Sequence, residues 1–192
     1  MKIVTILGSL NKNGSCSHAL QIVHDELQKY DNIEIIEIKP RDYKLPFPGQ
    51  SIDDSDEKKL QNLFIDADGI IFSTPEYHGS FSSVVKLIIE NLGFPSVLSG
   101  KAISLLGVAG GSIGAIKSLE QLRSVCSHIG AIVLPGPVSI PNVHSVFDKD
   151  GNCLDKKVES RLRKLVFELV KYIENQVCPE NALEKAVREN AN

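Results

Sequence analysis

The sequence has few cysteines, and they do not cluster. Cys16, Cys126, Cys153 and Cys178 are scattered over 192 residues, and none of them forms a CxxC pair. Structural zinc sites and disulfide frameworks need closely spaced ligands or a dense cysteine pattern, so we expect neither, and we expect no metal. Free thiols fit a reducing compartment, and the predicted location is therefore cytoplasmic.

Long apolar runs and basic runs are also missing. No apolar stretch reaches the roughly 18 to 20 residues that a membrane-spanning helix needs. The N-terminal "MKIVTILGSL" has a short apolar run that alternates like a strand, so a first strand is predicted there and not a signal peptide. The net charge is -3, with no run of Lys or Arg, so we expect neither nucleic acid nor an anionic membrane as a partner.

What the sequence does contain is a regular alternation of strand-like and helix-like segments. Predicted strands cover 2–8, 33–39, 69–75, 101–111 and 131–136. Predicted helices cover 17–30, about 54–66, 82–93, 114–130 and 154–177. The nearly all-apolar run 69–75 is typical of a strand buried on both faces of a parallel sheet. This pattern predicts an α/β fold in three layers, with a five-stranded parallel sheet and helices on both faces.

The chain length and the pattern together predict one domain over 1–177. The remaining segment, 178–192, is a polar C-terminal tail whose composition allows a short extra helix. Three loops of unusual composition follow strands, at 8–17, 74–82 and 107–114. Because ligands of open α/β sheets bind at the carboxyl ends of the strands, these loops predict one shared site.

The first loop carries hydroxyl, amide and glycine residues at the start of a predicted helix. It lacks the GxxxxGK[ST] pattern of nucleoside triphosphatases and the GxGxxG pattern of dinucleotide sites. A monophosphate held by neutral donors fits this composition, and so does an ordinary helix cap in a polar turn. The loop alone leaves both interpretations open.

The second loop, "TPEYHGSF" at 74–81, suits a planar ring. Pro75 ends the strand and Gly79 permits a tight turn. Alternatively, Glu76 and His78 act together as a general base or as metal ligands, although no third metal ligand is near in sequence. Glu76 also suits the role of a hydrogen-bond acceptor that holds the loop in place. The third loop, "VAGGSIG" at 108–114, has three glycines that allow close backbone approach to a ligand or form an ordinary turn.

Together these motifs resemble the NAD(P)H-dependent FMN reductase family, which is flavodoxin-like and includes quinone, azo-dye and chromate reductases. The resemblance covers roughly residues 1 to 140. It rests on Gly8-Ser9-Leu10 with Ser15-x-Ser17, then Thr74-Pro75-Glu76-Tyr77-His78, then Gly110-Gly111-Ser112-x-Gly114. The Pro-Glu-Tyr segment is its most specific part.

The resemblance implies an oxidoreductase with FMN as its cofactor and NADPH or NADH as co-substrate. Its acceptor would be a flavin, quinone, azo compound or metal oxyanion, and no side chain would be catalytic, since the flavin carries the chemistry. A homodimer or homotetramer is also implied, with a partner chain helping to wall the flavin site. The implied cofactor-binding residues are Ser9, Asn11, Ser15, Cys16, Ser17, Pro75, Glu76, Tyr77, His78, Gly79, Gly110, Gly111 and Ser112.

The chain departs from the family pattern in its first loop. Many members carry arginine just after Gly-Ser-Leu, whereas this chain has Asn11 and a one-residue insertion. Lys12 offers a point charge there but not a planar bidentate group, and weaker FMN binding is therefore expected. Arg41 and Arg123 are the candidates for a contact with the 2′-phosphate of NADPH.

Two other functions remain open from sequence. One is a flavodoxin-like electron carrier, although such proteins are usually more acidic and lack the Pro-Glu-Tyr loop. The other is a non-catalytic module that binds a flavin or a phosphorylated ligand.

Overall fold

The structure, a computed structural model, describes residues 1–190. Its strands are β1 (Lys2–Leu7), β2 (Glu34–Ile38), β3 (Gly69–Tyr77), β4 (Ser80–Phe81), β5 (Ala102–Val108), β6 (Ile132–Val133) and β7 (Val138–Ile140). Its helices are α1 (Ser15–Leu27), α2 (Glu57–Ile65), α3 (Ser83–Glu90), α4 (Ile116–His128), α5 (Val143–Val146), α6 (Lys156–Tyr172) and α7 (Cys178–Asn190). A π-helical segment, Ile173–Val177, joins the last two helices.

The central sheet has the strand order β2-β1-β3-β5-β6, and all of these neighbours are parallel. This is the order of flavodoxin-like sheets, and it confirms the predicted fold. The short β4 pairs antiparallel with the end of β3, and β7 pairs parallel with the end of β5. Strand order reverses between β1 and β3, so the carboxyl ends of these strands flank the position where such sheets bind ligands.

The predicted fifth strand at 131–136 is wrong in its second half. Only Ile132 and Val133 pair with β5 there, and pairing resumes at Val138. The interruption contains Pro135 and Pro137, which have no N–H to donate to the ladder. The edge strand is therefore split into β6 and β7, and its second half reaches the carboxyl edge.

Helices cover both faces of the sheet and bury two apolar clusters. One cluster joins α1 and α6 to residues such as Ile3, Leu7 and Ile71, and the other joins α2, α3 and α4 to residues such as Val4 and Phe72. Successive strand residues point to opposite faces, so a strand covered on both faces must be apolar throughout. This arrangement explains why the run from Gly69 is almost continuously hydrophobic.

Helix bounds differ from the predicted ones by a few residues. The long predicted helix 154–177 begins at Lys156, because the Asp155 carboxylate caps it by accepting the N–H groups of Lys157 (2.8 Å) and Val158 (3.2 Å). The tail continues as α7 as far as Asn190, and its last two residues lie outside the described range. Over residues 1–190, no helix combines the length and apolarity that crossing a membrane requires.

Candidate functional site

The three loops meet at the carboxyl edge of the sheet, around a cavity of about 490 Å³. The first loop and the start of α1 contribute Ser9, Asn11, Asn13, Gly14, Ser15, Cys16 and His18. The second and third loops contribute Pro75, Glu76, Tyr77, Val108, Ala109 and Gly110. A fourth segment that the sequence did not predict contributes Val143, His144, Phe147, Asp148 and Lys149.

Eight of the predicted site residues therefore line one cavity: Ser9, Asn11, Ser15, Cys16, Pro75, Glu76, Tyr77 and Gly110. The other five, Ser17, His78, Gly79, Gly111 and Ser112, lie in the same loops but are not among its lining residues. Ser17 belongs to the first turn of α1, where its N–H donates to the Gly14 carbonyl (2.8 Å). Gly111 has open space where a Cβ would stand.

The N-terminus of α1 opens onto this cavity. Gly14 is its N-cap, and no side chain among residues 1–190 caps the first turn. A Cβ on Gly14 would come within 3.2 Å of the Asn11 side chain, so the loop is tightly folded here. Uncapped N–H groups and the positive end of the helix dipole attract anions. The terminus of α1 can therefore hold a negatively charged group inside the cavity.

Bonds within the first loop hold its donors in place. The Asn11 N–H donates to the Ser9 hydroxyl oxygen (3.2 Å), and the Asn13 N–H donates to the Asn11 side-chain oxygen (3.1 Å). These bonds leave the Ser9 O–H and the Asn11 side-chain N–H groups available to a ligand. Lys12 is exposed and does not line the cavity. The first loop thus offers mainly neutral donors.

A buried hydrogen-bond network connects the first loop to the second. The Ser82 hydroxyl donates to the Gly8 carbonyl (2.7 Å) and accepts the Val85 N–H (3.2 Å), which caps α3. The Ser82 N–H donates to the Thr74 hydroxyl oxygen (3.1 Å). Gly8 must be a glycine, because a Cβ there would lie 2.2 Å from the Ser73 carbonyl oxygen. These contacts fix the ends of β1 and β3 side by side.

The second loop is a tight hairpin between β3 and β4. His78 and Gly79 occupy its two central positions with φ of 51° and 75°, the backbone that two-residue hairpin turns require. The Glu76 carboxylate accepts the Ser118 N–H (3.0 Å) in the first turn of α4, a helix without another side-chain cap. Glu76 therefore ties the loop to α4.

Glu76 and His78 were also considered from sequence as metal ligands. Among the described residues, no three or more His, Cys, Asp or Glu side chains form a group that could hold a metal ion. His78 is exposed in the hairpin turn. The pairing of Glu76 with His78, considered from sequence, therefore lacks the additional ligands that a metal needs.

The third loop is bonded to the segment that follows β7. The Asn142 N–H donates to the Gly111 carbonyl (3.1 Å), and the Val143 N–H donates to the Ala109 carbonyl (3.1 Å). Gly114 has a φ of +79°, and a Cβ there would meet the Ser139 hydroxyl oxygen at 2.4 Å. This loop therefore brings Gly110 and the segment from Val143 to the same wall of the cavity.

The fourth segment packs onto the start of α1. The Phe147 and His18 rings lie 5.6 Å apart, and a Cβ on Gly151 would come 2.8 Å from the His18 ring. Phe147 and Cys153 form an antiparallel bridge that closes the turn between them. The sequence signal for this turn is the Asp-Lys-Asp-Gly-Asn stretch at 148–152, a composition typical of tight turns.

Cys16 and the two arginines considered from sequence, Arg41 and Arg123, have distinct environments. Burial raises the pKa of the Cys16 thiol to about 12, so the group stays protonated at neutral pH and is a poor nucleophile. The Arg123 guanidinium donates to the carbonyls of Leu134 (2.8 Å) and Val133 (3.4 Å), which anchors α4 to the strand edge. Neither Arg41 nor Arg123 lines the cavity.

Comparison with known proteins gives a consistent result. The family model described as NADPH-dependent FMN reductase matches residues 1–145. A 2-hydroxy-1,4-benzoquinone reductase from a Burkholderia species is 27% identical over 172 residues, which are 85% of this chain and 91% of that protein. An FMN-dependent NADPH-azoreductase of Staphylococcus aureus is 27% identical over 184 residues, which are 91% of this chain and 96% of that protein.

Among solved structures, this chain is similar to a flavoenzyme NAD(P)H:(acceptor) oxidoreductase from Paracoccus denitrificans. The TM-score is 0.76 with 21% identity, covering 90% of this chain and 97% of the other. At this identity, the likeness shows the fold.

Proposed function

The chain belongs to the NADPH-dependent FMN reductase family, and from this premise we propose that it reduces a small quinone or azo compound, with FMN as cofactor and NADPH or NADH as hydride donor. The observation that carries the proposal is the convergence of three separate loops on one cavity at the carboxyl edge of the sheet. Substrates and cofactors of open α/β sheets bind at this edge.

The residues of the first loop fit the phosphate of FMN. The uncapped N-terminus of α1 supplies backbone N–H groups, and the hydroxyls of Ser9 and Ser15 line the same cavity. Such a set of neutral donors at a helix terminus suits a phosphate monoester. We assign Ser9, Asn11, Ser15, Cys16 and Ser17 to this part of the site, the last two through the first turn of α1.

The second and third loops fit a flat ring. Pro75 and Tyr77 stand on one part of the cavity wall, and Ala109 and Gly110 stand on another. Because Gly110 has no side chain, a planar group can approach the backbone there closely. We assign the ring of FMN to these two loops, with His78, Gly79, Gly111 and Ser112 completing the turns that shape them.

Bound FMN supplies reversible hydride acceptance, which no amino-acid side chain provides. The protein's own contribution is to bind, orient and shield. Glu76 keeps the second loop against α4, and the Ser82 network keeps the first loop beside the second. We propose no catalytic side chain.

The acceptor would be a small apolar or aromatic molecule. Pro75 and Tyr77 line the cavity, and the Tyr77 side chain is 59% exposed. Aromatic and aliphatic groups of this kind favour planar apolar ligands over highly charged ones. The two relatives named above act on a benzoquinone and on azo compounds, which are molecules of this class.

The proposal is tested with FMN-loaded protein under anaerobic conditions. NADPH or NADH should remove the visible absorbance of oxidised flavin, and a benzoquinone or an azo dye added next should restore it. The protein without FMN, treated in the same way, is the control. Flavin that neither nucleotide reduces would favour an electron carrier, and absence of FMN binding in a titration would refute the proposal.

We also propose that two or more copies assemble around the site. The exposed Leu10, Tyr77 and Ile113 of the three loops are apolar surfaces that a second chain would cover. Val85, Ile88 and Ile89 of α3 are buried within the chain itself and are not available for this contact. Sedimentation equilibrium should give a dimer or tetramer, and a monomer at micromolar concentration would contradict this part.

Two further parts of the proposal come from composition. We propose a cytoplasmic location without nucleic-acid or membrane partners, because all four cysteines are free and the net charge is -3. We also propose that 1–177 form the FMN-binding domain, with the tail outside the site.

A further inference from the structure

The first loop leaves the phosphate region without a fixed positive charge of its own. Apart from the His18 imidazole, the groups that this loop places on the cavity wall are hydroxyls, amides, a thiol and backbone. Lys12 is the only lysine of the loop, and it is exposed and lies outside the wall. A phosphate ester binds considerably more tightly when a cation adds a charge-assisted hydrogen bond to neutral donors.

A lysine reaches the same cavity from elsewhere in the chain. Lys149 lines it together with Ser9 and Ser15, although it is more than 130 residues distant from them in sequence. It is exposed, and no ion pair is formed by it within residues 1–190. Its ammonium group is therefore free to meet an anion.

The turn that carries Lys149 is held firmly in place. The Asp148 carboxylate accepts the N–H groups of Asp150 (2.9 Å) and Asn152 (2.8 Å) and the Asn152 side-chain N–H (2.9 Å). Gly151, in the left-handed region with a φ of +87°, lets the turn pack directly onto the His18 ring. The backbone of Lys149 is thus fixed beside the N-terminus of α1, and only its side chain needs to be ordered on binding.

The carboxylates on the same wall are already engaged. Glu76 accepts the Ser118 N–H, and Asp148 accepts the three N–H groups of its own turn. Those hydrogen bonds, led by the one from the Asn152 side chain, lower the pKa of Asp148, so its charge persists and keeps the turn closed. Among the described residues that line this cavity, Lys149 is the one lysine or arginine, and its ammonium group can face an anionic ligand.

We propose that Lys149 is the cationic ligand of the FMN phosphate and takes the place of a charge that the first loop lacks. This inference rests on the proposed function. It identifies a binding residue outside the three predicted loops, on a turn brought to the site by the split edge strand and α5.

The test compares FMN with riboflavin, which has the same ring and ribityl chain but no phosphate. Flavin-depleted full-length protein is titrated with each ligand, and dissociation constants are measured from quenching of flavin fluorescence. The variants are Lys149→Gln, Lys149→Arg and Lys12→Gln, and Lys156→Gln is the matched control because Lys156 is an exposed lysine at the start of α6 that does not line the cavity. Titrations at low and high salt are included.

Lys149→Gln should weaken FMN binding by about tenfold, the size of a partly screened charge-assisted bond, and leave riboflavin binding unchanged. It should also flatten the salt dependence of FMN binding. Lys149→Arg should retain FMN, and Lys12→Gln and Lys156→Gln should match the unsubstituted protein.

Other outcomes overturn the inference. The inference is wrong if Lys149→Gln binds FMN within twofold of the unsubstituted protein. It is also wrong if Lys149→Gln loses as much affinity for riboflavin as for FMN, or if Lys12→Gln loses as much affinity for FMN as Lys149→Gln does. A raised KM for NADPH but not for NADH, with FMN affinity intact, would move Lys149 to the 2′-phosphate of the nucleotide. In each of these cases the proposed function stands, whereas an unsubstituted protein that binds neither flavin refutes both.

Discussion

Replacing Ser82 with alanine removes two buried hydrogen bonds at the junction of the first and second loops. The variant loses the cap of α3, which costs about 1 kcal/mol in typical helices. It also leaves the buried Gly8 carbonyl without its donor, which adds about 1 to 2 kcal/mol. We therefore expect Ser82→Ala to lower the free energy of unfolding by about 2 to 3 kcal/mol.

The measurement is urea unfolding monitored by circular dichroism. The free energies of unfolding are compared on the condition that their dependence on urea concentration is the same for the two proteins. Ser83→Ala is the matched control, since Ser83 is the exposed first residue of α3 and its loss should change stability by less than about 0.5 kcal/mol. Because Gly8 also begins the first loop, to which we assign the FMN phosphate, FMN affinity should fall in Ser82→Ala at temperatures where the variant remains folded. A loss of stability no larger than that of Ser83→Ala would refute the role assigned to this network.

Gly8, Cys16 and His24 each give a further prediction. Gly8→Ala should prevent folding or destabilise the protein by several kcal/mol, since the Cβ overlaps the Ser73 carbonyl; a soluble variant of unchanged melting temperature would contradict this. Cys16 should react slowly with a thiol reagent at pH 7 and faster in urea, because burial keeps its pKa near 12. Burial lowers the pKa of His24 in the folded protein, so the unfolded chain takes up the proton more readily. The free energy of unfolding should therefore fall as pH drops below about 6.5, and His24→Gln should reduce this pH dependence in acid-unfolding curves.

The strands of the sheet could be predicted where the pattern of hydrophobic residues matches the burial of the strand. The run from Gly69 is apolar because helices cover both faces of β3, so the burial of this strand can be predicted from its own residues. The split of the fifth strand was missed because an apolar stretch with two prolines still resembles a strand by hydrophobicity alone. Only the missing N–H groups of Pro135 and Pro137 mark the interruption.

The residues of the cavity wall could be predicted where they follow a strand closely in sequence. Ser9, Glu76 and Gly110 sit at carboxyl ends of adjacent strands, so topology alone brings them together. The place of Lys149 on the cavity wall could not be predicted, because it depends on a long-range packing contact between the 148–152 turn and the first turn of α1. Such a contact has no periodic signature, and the Asp-Gly composition of the turn gives its shape but not its neighbour.

We propose above that FMN binds at the edge of the sheet where the three loops meet. It is tested most directly by a crystal structure of the protein grown with FMN. We expect the phosphate within hydrogen-bonding distance of the Ser9 and Ser15 hydroxyls at the start of α1, and the ring against Tyr77 and Gly110. FMN bound at any other surface, or with its ring beside Ser9 and Ser15, would contradict this proposal.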